Sequence, residues 1–138
     1  MTTMSSIPVI DASRLPDPAS LRAVDLACRE WGFFQVVNHG IDSEVIDALH
    51  REMRAFFALP VEDKRAVERS AENPWGFYDR ELTKNTRDWK QVFDYCPEED
   101  GGLRTPWPAW PPGFRTALRA FAGSCQQLAF RLLAAISA

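Results

Sequence analysis

Apolar residues recur at steps of three and four along three stretches of the chain, which is the spacing of helices with one buried face. The first stretch follows Asp17-Pro18, a pair typical of a helix start, stops at Gly32, and has the apolar face Leu21, Val24, Cys28 and Trp31. The second begins at Asp42 or Ser43 and has the apolar face Val45, Ile46, Leu49, Met53, Phe56 and Phe57. The third is the longest and carries Phe114, Leu118, Phe121, Cys125, Leu128, Leu132 and Ile136. A short helix is also predicted over residues 60–64, because Pro60 precedes an acidic first turn.

Three other segments have the composition or the alternation of β-strands. Residues 7–10 predict a short opening strand that Pro8 confines to an edge. Residues 33–38 are aromatic and β-branched with one polar interruption, which predicts an interior strand buried on both faces. Residues 88–95 alternate, so a half-buried strand is expected with Trp89, Phe93 and Tyr95 on one side.

The intervening segments predict loops. Residues 71–86 lose all periodicity around Asn73-Pro74 and Gly76, and residues 96–113 are rich in proline and glycine. Within the second loop, Trp107 and Trp110 are expected to pack over the edge of the core. The last helix ends without a glycine or a cationic turn, so we expect the fold to continue beyond this chain.

Composition limits the class of protein. The chain has 138 residues, of which 46% are hydrophobic, and this predicts a single domain over residues 1–138. The net charge of −3 gives no basic surface for nucleic acid, and no apolar stretch is long enough to cross a membrane. We therefore expect a cytoplasmic protein without nucleic-acid or membrane partners. Its three cysteines are widely spaced, which favours buried reduced thiols over disulfides; they are Cys28, Cys96 and Cys125.

Several short motifs resemble one enzyme family. The most specific block runs from Trp31-Gly32-Phe33-Phe34 to Asn38-His39-Gly40. The other matching stretches are Ile7-Pro8-Val9-Ile10-Asp11, Phe56-Phe57-Ala58-Leu59-Pro60, Gly76-Phe77-Tyr78, Asp88-Trp89-Lys90-Gln91-Val92-Phe93-Asp94, Trp107-Pro108 and Pro112-Gly113-Phe114-Arg115. In this order and spacing they resemble the amino-terminal region of non-haem iron(II), 2-oxoglutarate-dependent dioxygenases of the isopenicillin N synthase-like group.

The resemblance implies an α+β chain that contributes helices and a few strands to a double-stranded β-helix, or jelly-roll, fold. It also implies that the complete enzyme uses Fe(II), 2-oxoglutarate and a small-molecule substrate. In this family, a His-x-Asp pair, a second histidine and an Arg-x-Ser hold the metal and 2-oxoglutarate, and all of them lie further along the chain than residue 138. The catalytic carboxyl-terminal half is therefore the partner that this chain is expected to lack.

The chain itself offers few substitutes for these groups. It contains no Arg-x-Ser, and its only histidines are His39 and His50. His50-Arg51-Glu52 spells His-x-Glu, but residues two apart on a helix diverge by about 200° and cannot close on one metal. We expect His50 to face solvent, and we expect the imidazole of His39 to hydrogen-bond the turning backbone beside Gly40. The chain alone is accordingly expected to have no catalytic, metal or cofactor-binding residues and to be inactive.

Residues near Gly76 correspond to a region that borders the substrate pocket in some relatives. Phe77 and Tyr78 are candidates for that border, and ordinary core packing is an equally good interpretation. Arg80, Lys84 and Arg87 could pair with a substrate carboxylate, although a solvated charged loop is more common.

Three functions remain open at this point. The leading interpretation is the amino-terminal structural part of an oxygenase that carries out hydroxylation, desaturation or ring closure. The alternative is a stand-alone, non-enzymatic module that uses the same scaffold to bind a protein. A small hydrolase with a cysteine nucleophile ranks last, because no histidine and acid accompany any cysteine.

Overall fold

The computed structural model describes residues 6–96 and 102–138, so residues 97–101 of the proline-rich connection lie outside the described part. The elements are β1 (Val9–Asp11), a 3-10 turn (Ala12–Arg14), α1 (Pro18–Glu30), β2 (Gln35–Val37), α2 (Ser43–Phe57), α3 (Val61–Arg65), β3 (Gly76–Tyr78), β4 (Leu82–Thr83), β5 (Thr86–Arg87), β6 (Val92–Asp94) and α4 (Phe114–Ile136). All the predicted helices are present, within a residue or so of the expected bounds. In the described residues no helix is both long and apolar enough to cross a membrane.

The chain forms two compact units. The first comprises residues 6–42 together with Gly123–Ala138, and the second comprises Ser43–Ala122. Residues 114–122 of α4 thus belong to the second unit, and its later residues belong to the first.

In the first unit, β1 pairs in parallel with β2, with Ile10 opposite Val36. Arg131 of α4 fastens the ends of these strands, since its guanidinium donates to the carbonyl oxygens of Ala12 (2.6 Å) and His39 (3.3 Å). Hydrogen bonds from an arginine to carbonyl groups are charge-assisted and therefore stronger than neutral ones. A single side chain thus ties α4 to the segments that follow both strands.

Two local expectations for α1 had different outcomes. Gly32 ends the helix as predicted, with a φ of +74° and its N–H bonded to the carbonyl oxygen of Ala27 (3.1 Å). The sequence pair Asp17-Pro18 also predicts that Asp17 caps the helix, and this was wrong, because its side chain makes no capping hydrogen bond and lies 3.6 Å from the Nε of Arg14. Pro18 alone marks the start, since its missing N–H leaves one fewer donor to satisfy.

The prediction of an interior strand over residues 33–38 was wrong. Only Gln35–Val37 is strand, and it alternates exposed, half-buried and exposed. Within the described residues β2 has β1 as its sole strand partner. Phe33 and Val37 are 52% and 42% exposed, so this segment is not buried on both faces.

The second unit is built around an aromatic core. Phe56 of α2 stacks on Phe114 of α4 with ring centroids 4.6 Å apart. The ring of Phe56 also makes edge-to-face contacts with Phe77 and Phe93. Phe77 and Phe93 face each other across the antiparallel pair β3–β6. The buried members of this core are Leu49, Phe56, Val67, Phe77, Phe114 and Leu118.

Residues 71–86 are not the featureless loop that the sequence predicts. They contain β3, and β4 pairs with β5 in a hairpin whose turn residues, Lys84 and Asn85, have φ values of 51° and 61°. Consecutive positive φ values are the geometry of the tight turns that join twisted strands. Strands of two and three residues are too short to show an alternating pattern, which explains why the sequence does not reveal them.

Several apolar residues expected in the core are exposed instead. Trp89 is 100% exposed because the strand begins only at Val92, and Trp110 is 60% exposed while Trp107 packs on Phe93. On the helices, Met53 and Ile136 are 36% and 53% exposed. The three cysteines are free and half-buried, where fully buried thiols were expected.

Candidate functional site

The imidazole of His39 hydrogen-bonds the backbone of the turn in which it lies. Its Nδ1 accepts a hydrogen bond of 3.0 Å from the backbone N–H of Ile41. The neighbouring Gly40 has a φ of +81° and Asn38 has one of 50°, so the chain turns sharply on both sides of the imidazole. The predicted hydrogen bond to the turning backbone is therefore confirmed, and this nitrogen is already used.

His50 and Glu52 do not converge. His50 is exposed on α2, whereas the side chain of Glu52 is 12% exposed and lies against Gly113. This divergence is the one expected of helix positions two residues apart.

An iron ion needs three protein ligands of the His and carboxylate type on one side of the metal. Residues 6–96 and 102–138 contain no group of three or more histidine, cysteine, aspartate or glutamate side chains that could hold a metal. The imidazole nitrogen of His39 that faces the backbone is occupied as well. The described residues therefore do not fit the iron centre that the resemblance implies for the complete enzyme.

The two candidate pocket residues lie side by side on β3 but have different surroundings. Phe77 is fully buried in the aromatic core, with the Nζ of Lys64 over its ring at 5.6 Å from the centroid. Tyr78 is half-buried beneath the guanidinium of Arg69, which lies 3.5 Å from the ring centroid. Phe77 thus contributes to the core, and the face of Tyr78 is covered by a cation.

A cavity of about 530 Å³ opens next to this strand. We call it the hairpin cavity, because it lies beside the β4–β5 hairpin and the segment that follows it. Its lining residues are Asp79, Thr86, Arg87, Asp88, Trp89, Lys90 and Gln91. Arg87 is the one member of this lining that the sequence had suggested for a carboxylate.

Asp79 anchors Arg87 at this cavity. Its carboxylate is 5% exposed, and its Oδ2 lies 3.3 Å from Nη2 of both Arg65 and Arg87. Arg87 also donates from Nε to the carbonyl oxygen of Asp79 (3.3 Å). The guanidinium of Arg87 is therefore held through two of its nitrogens, while its side chain remains 64% exposed.

The other two candidate cations have different positions. Arg80 pairs with Glu68 at 2.7 Å, and Lys84 lies in the hairpin turn. Lys90 pairs with Glu81 at 2.6 Å, and this hydrogen bond raises the pKa of the Lys90 ammonium. Of the three cations named from the sequence, only Arg87 lines the cavity.

Lys64 and Gln91 were missed by the sequence analysis. The Nζ of Lys64, whose side chain is almost buried, donates to the carbonyl oxygen of Phe57 (2.8 Å) and to Oε1 of Gln91 (2.9 Å). The partners are 7 and 27 residues away, so no local pattern could have indicated these contacts. In the sequence, the one indication was a lysine that follows two acidic residues in the short helix predicted over residues 60–64.

Known proteins place the chain in a family. The model of the family described as "non-haem dioxygenase in morphine synthesis N-terminal" matches residues 7–112. The chain belongs to this family. It is 33% identical to the oxoglutarate-dependent flavonoid 7-O-demethylase 1 of Ocimum basilicum, over 94% of this chain and 37% of that protein. It is 35% identical to the jasmonate-induced oxygenase 4 of Arabidopsis thaliana, over 95% of this chain and 38% of that protein.

Solved structures agree on the fold. A full-length Neurospora crassa protein, crystallised in complex with alpha-KG, superposes with a TM-score of 0.79 at 25% identity, over 95% of this chain and 46% of that chain. A 2OG-Fe(II) oxygenase family protein from Caulobacter crescentus superposes with a TM-score of 0.80 at 21% identity, over 96% of this chain and 48% of that chain. The chain therefore has the amino-terminal helices and a few strands of the isopenicillin N synthase-like jelly-roll fold, with the jelly-roll core incomplete. It spans less than half the length of these relatives.

Proposed function

We propose that this chain is the amino-terminal structural part of an Fe(II)- and 2-oxoglutarate-dependent oxygenase that oxidises a small molecule in the cytoplasm. The observation that carries the proposal is the family match over residues 7–112, together with a chain that spans 37% of the Ocimum basilicum relative. The reaction would be a hydroxylation, a desaturation or a ring closure. Residues 1–138 would act as one domain whose catalytic partner is the carboxyl-terminal half.

The proposed inactivity of the isolated chain rests on its side chains. The sequence has two histidines and no Arg-x-Ser, and Nδ1 of His39 is engaged with the backbone of Ile41. Iron and 2-oxoglutarate, once held by the other half, would supply the oxidising chemistry. This chain would contribute packing and part of the wall around the substrate, with Phe77 and Tyr78 at or just behind that wall.

The second half of α4 offers a surface on which the catalytic half could pack. Ala135 on one side of this helix is buried, but Phe130, Leu133 and Ile136 are 62%, 59% and 53% exposed. A helix that is apolar on both sides is typical of one covered by two layers. We call these three exposed residues the apolar helix face.

The names of the relatives support a small-molecule substrate. Flavonoid 7-O-demethylase, gibberellin 2-beta-dioxygenase and thebaine 6-O-demethylase are each named for a small organic compound. The compounds differ widely, so the relatives favour a class of substrate and not a single one.

Co-expression with a catalytic half tests the proposal. The chain would be produced alone and together with the remaining carboxyl-terminal part of the Ocimum basilicum relative, and succinate formed from 2-oxoglutarate would be measured with Fe(II) and O₂. We expect no succinate from the chain alone and measurable succinate from the pair. The variant Leu133→Ser should prevent the pairing, whereas Gln127→Ser, on an exposed polar residue of the same helix, should not.

Two results would contradict the proposal. Succinate formation by the chain alone would show that it holds a complete site. The alternative of a stand-alone binding module would be favoured if the chain is monodisperse, does not bind the catalytic half, and binds a different protein through its apolar helix face.

A further inference from the structure

The hairpin cavity contains two hydrogen-bond donors, on Arg87 and Gln91, whose orientations are set by nearly buried charged residues. Asp79 holds Nε and Nη2 of Arg87 through its carbonyl and carboxylate oxygens. Lys64 donates to Oε1 of Gln91, and this contact assigns Nε2 to the opposite side of the amide. Asp79 and Lys64 are 5% and 4% exposed, so neither anchor is a mobile surface group.

The remaining donors on Arg87 and Gln91 are available to a ligand. Among residues 6–96 and 102–138, neither Nη1 of Arg87 nor Nε2 of Gln91 makes a hydrogen bond. Thr86 adds a hydroxyl to the same lining. Free donors that are fixed in advance favour a ligand with acceptor oxygens, because less conformational freedom is lost on binding.

Both carboxylates of the lining already have cationic partners. Asp79 is paired with Arg65 as well as with Arg87. The Nζ of Lys90 lies 3.9 Å from the carboxylate of Asp88 and 2.6 Å from that of Glu81. Within the described lining, Arg87 is therefore the cation that presents an unengaged end to an incoming anion.

Trp89 gives the cavity an apolar wall. Trp89 is one of the lining residues, and it is 100% exposed. A large exposed aromatic side chain beside a few convergent polar groups is typical of small-molecule sites. A planar ring that stacks on the indole would bury apolar surface that Trp89 exposes in this chain.

We infer that the hairpin cavity binds an aromatic carboxylate, with the carboxylate on Arg87 and Gln91 and the ring against Trp89. This inference goes beyond the proposed function and does not depend on it, because the site lies within this chain. It explains why two buried charged residues are used to orient two surface side chains. It also gives Trp89 a role that packing within the chain does not supply.

The test is a titration of the nitrogen-15-labelled chain with phenylacetate, followed through the indole N–H of Trp89 and the side-chain amide of Gln91. Phenylacetamide removes the charge and acetate removes the ring, so these two compounds serve as matched probes. We expect saturable shifts with phenylacetate and a Kd at least about tenfold higher for each matched probe, as is typical of a lost charge-assisted hydrogen bond or a lost ring contact.

Three variants test whether binding depends on the residues of the hairpin cavity. Arg87→Gln should raise the Kd for phenylacetate at least about tenfold, and Trp89→Leu should bring it close to that for acetate. Arg119→Gln, on an exposed arginine of α4 outside the cavity, should leave it unchanged. Trp89→Leu keeps the test valid should Arg87→Gln unfold, because a fully exposed ring contributes little to stability.

Four results would overturn the inference. Equal affinity for phenylacetamide would show an apolar patch without a carboxylate site. Chemical-shift changes that do not saturate at millimolar phenylacetate, or a Trp89 signal that does not change, would show that the cavity binds no such ligand. A spectrum without dispersed amide signals would show that the cavity does not form in this chain.

Discussion

The backbone N–H of Ile41 donates a 3.0 Å hydrogen bond to Nδ1 of His39. The contact closes the turn after β2, where Gly40 takes a φ of +81°. It also decides how this histidine is used, since the lone pair of Nδ1 is already shared with the backbone.

The first prediction concerns that hydrogen bond. His39→Ala leaves the N–H of Ile41 without its acceptor and should lower the free energy of unfolding by about 1 kcal/mol. His39→Asn restores an acceptor oxygen at a similar position and should lose less than half of that. Urea unfolding followed by circular dichroism measures both values. His50→Ala, on an exposed helix position, is the control and should change little; an equal loss in all three variants would contradict the assigned role.

The second prediction compares two glycines. Gly76 has a φ of +120°, and a Cβ there would overlap the carbonyl oxygen of Val67. Gly76→Ala should therefore destabilise the chain by about 3 kcal/mol or more, because backbone strain and overpacking add. Gly123 lies within α4, and a methyl group added there would meet no atom within 4 Å, so Gly123→Ala should stabilise by about 0.5–1 kcal/mol. Opposite shifts in melting temperature are the expected outcome, and shifts of the same sign would contradict this account.

The third prediction separates the aromatic core from the cavity wall. Phe77 is 0% exposed and Trp89 is 100% exposed. Phe77→Ala should cost about 3–5 kcal/mol, through lost burial and the space left behind. Trp89→Ala should remain within about 0.5 kcal/mol of the parent chain. Urea titrations of both variants test this contrast, and a large loss for Trp89→Ala would mean that its ring is packed in solution.

The fourth prediction is a pH dependence at Asp11. Hydrogen bonds from the side chains of Ser13 and Asn38 lower the pKa of the Asp11 carboxyl in the folded chain. A lowered folded pKa means that the unfolded chain binds the proton more readily, so this contribution to stability is present above the unfolded pKa of about 3.9. It is lost as the pH falls through the folded value.

Unfolding measured between neutral and acidic pH, for the parent chain and for Asp11→Asn, isolates this effect. The difference in stability between the two should shrink as the pH falls below the unfolded pKa. Ser13→Ala removes the largest cause and should move the Asp11 pKa back toward its usual range, as carboxyl NMR titration would show. A pKa unchanged by Ser13→Ala would refute the assigned cause.

The sequence predicted the helices well because their periodicity extends over many turns, as in Phe114–Ile136. It also predicted the end of α1 at Gly32, where a positive φ is required. The expectation that Trp89 lies in a strand with Phe93 was wrong. The alternation of apolar residues includes Trp89, but the strand begins only at Val92. Periodicity reveals which residues could share a face and not where the hydrogen-bonded ladder starts.

The candidate site was less accessible to sequence reasoning. Arg87 could be named as a possible carboxylate partner, but its anchor Asp79 is 8 residues away and also bonds Arg65 at a separation of 14. The contact between Lys64 and Gln91 spans 27 residues. Such pairings depend on how α3 and the strands pack, so they are visible only in three dimensions.

The size of the protein in the cells that make it distinguishes an amino-terminal part of an oxygenase from a stand-alone protein. An antibody against residues 1–138 would detect the product, and its intact mass would be measured. We expect a longer species, since this chain spans 37% and 38% of its relatives, and that species should convert 2-oxoglutarate to succinate with Fe(II) and O₂. A stable product of 15.6 kDa with no longer form would overturn the proposed function and would direct attention to a protein partner.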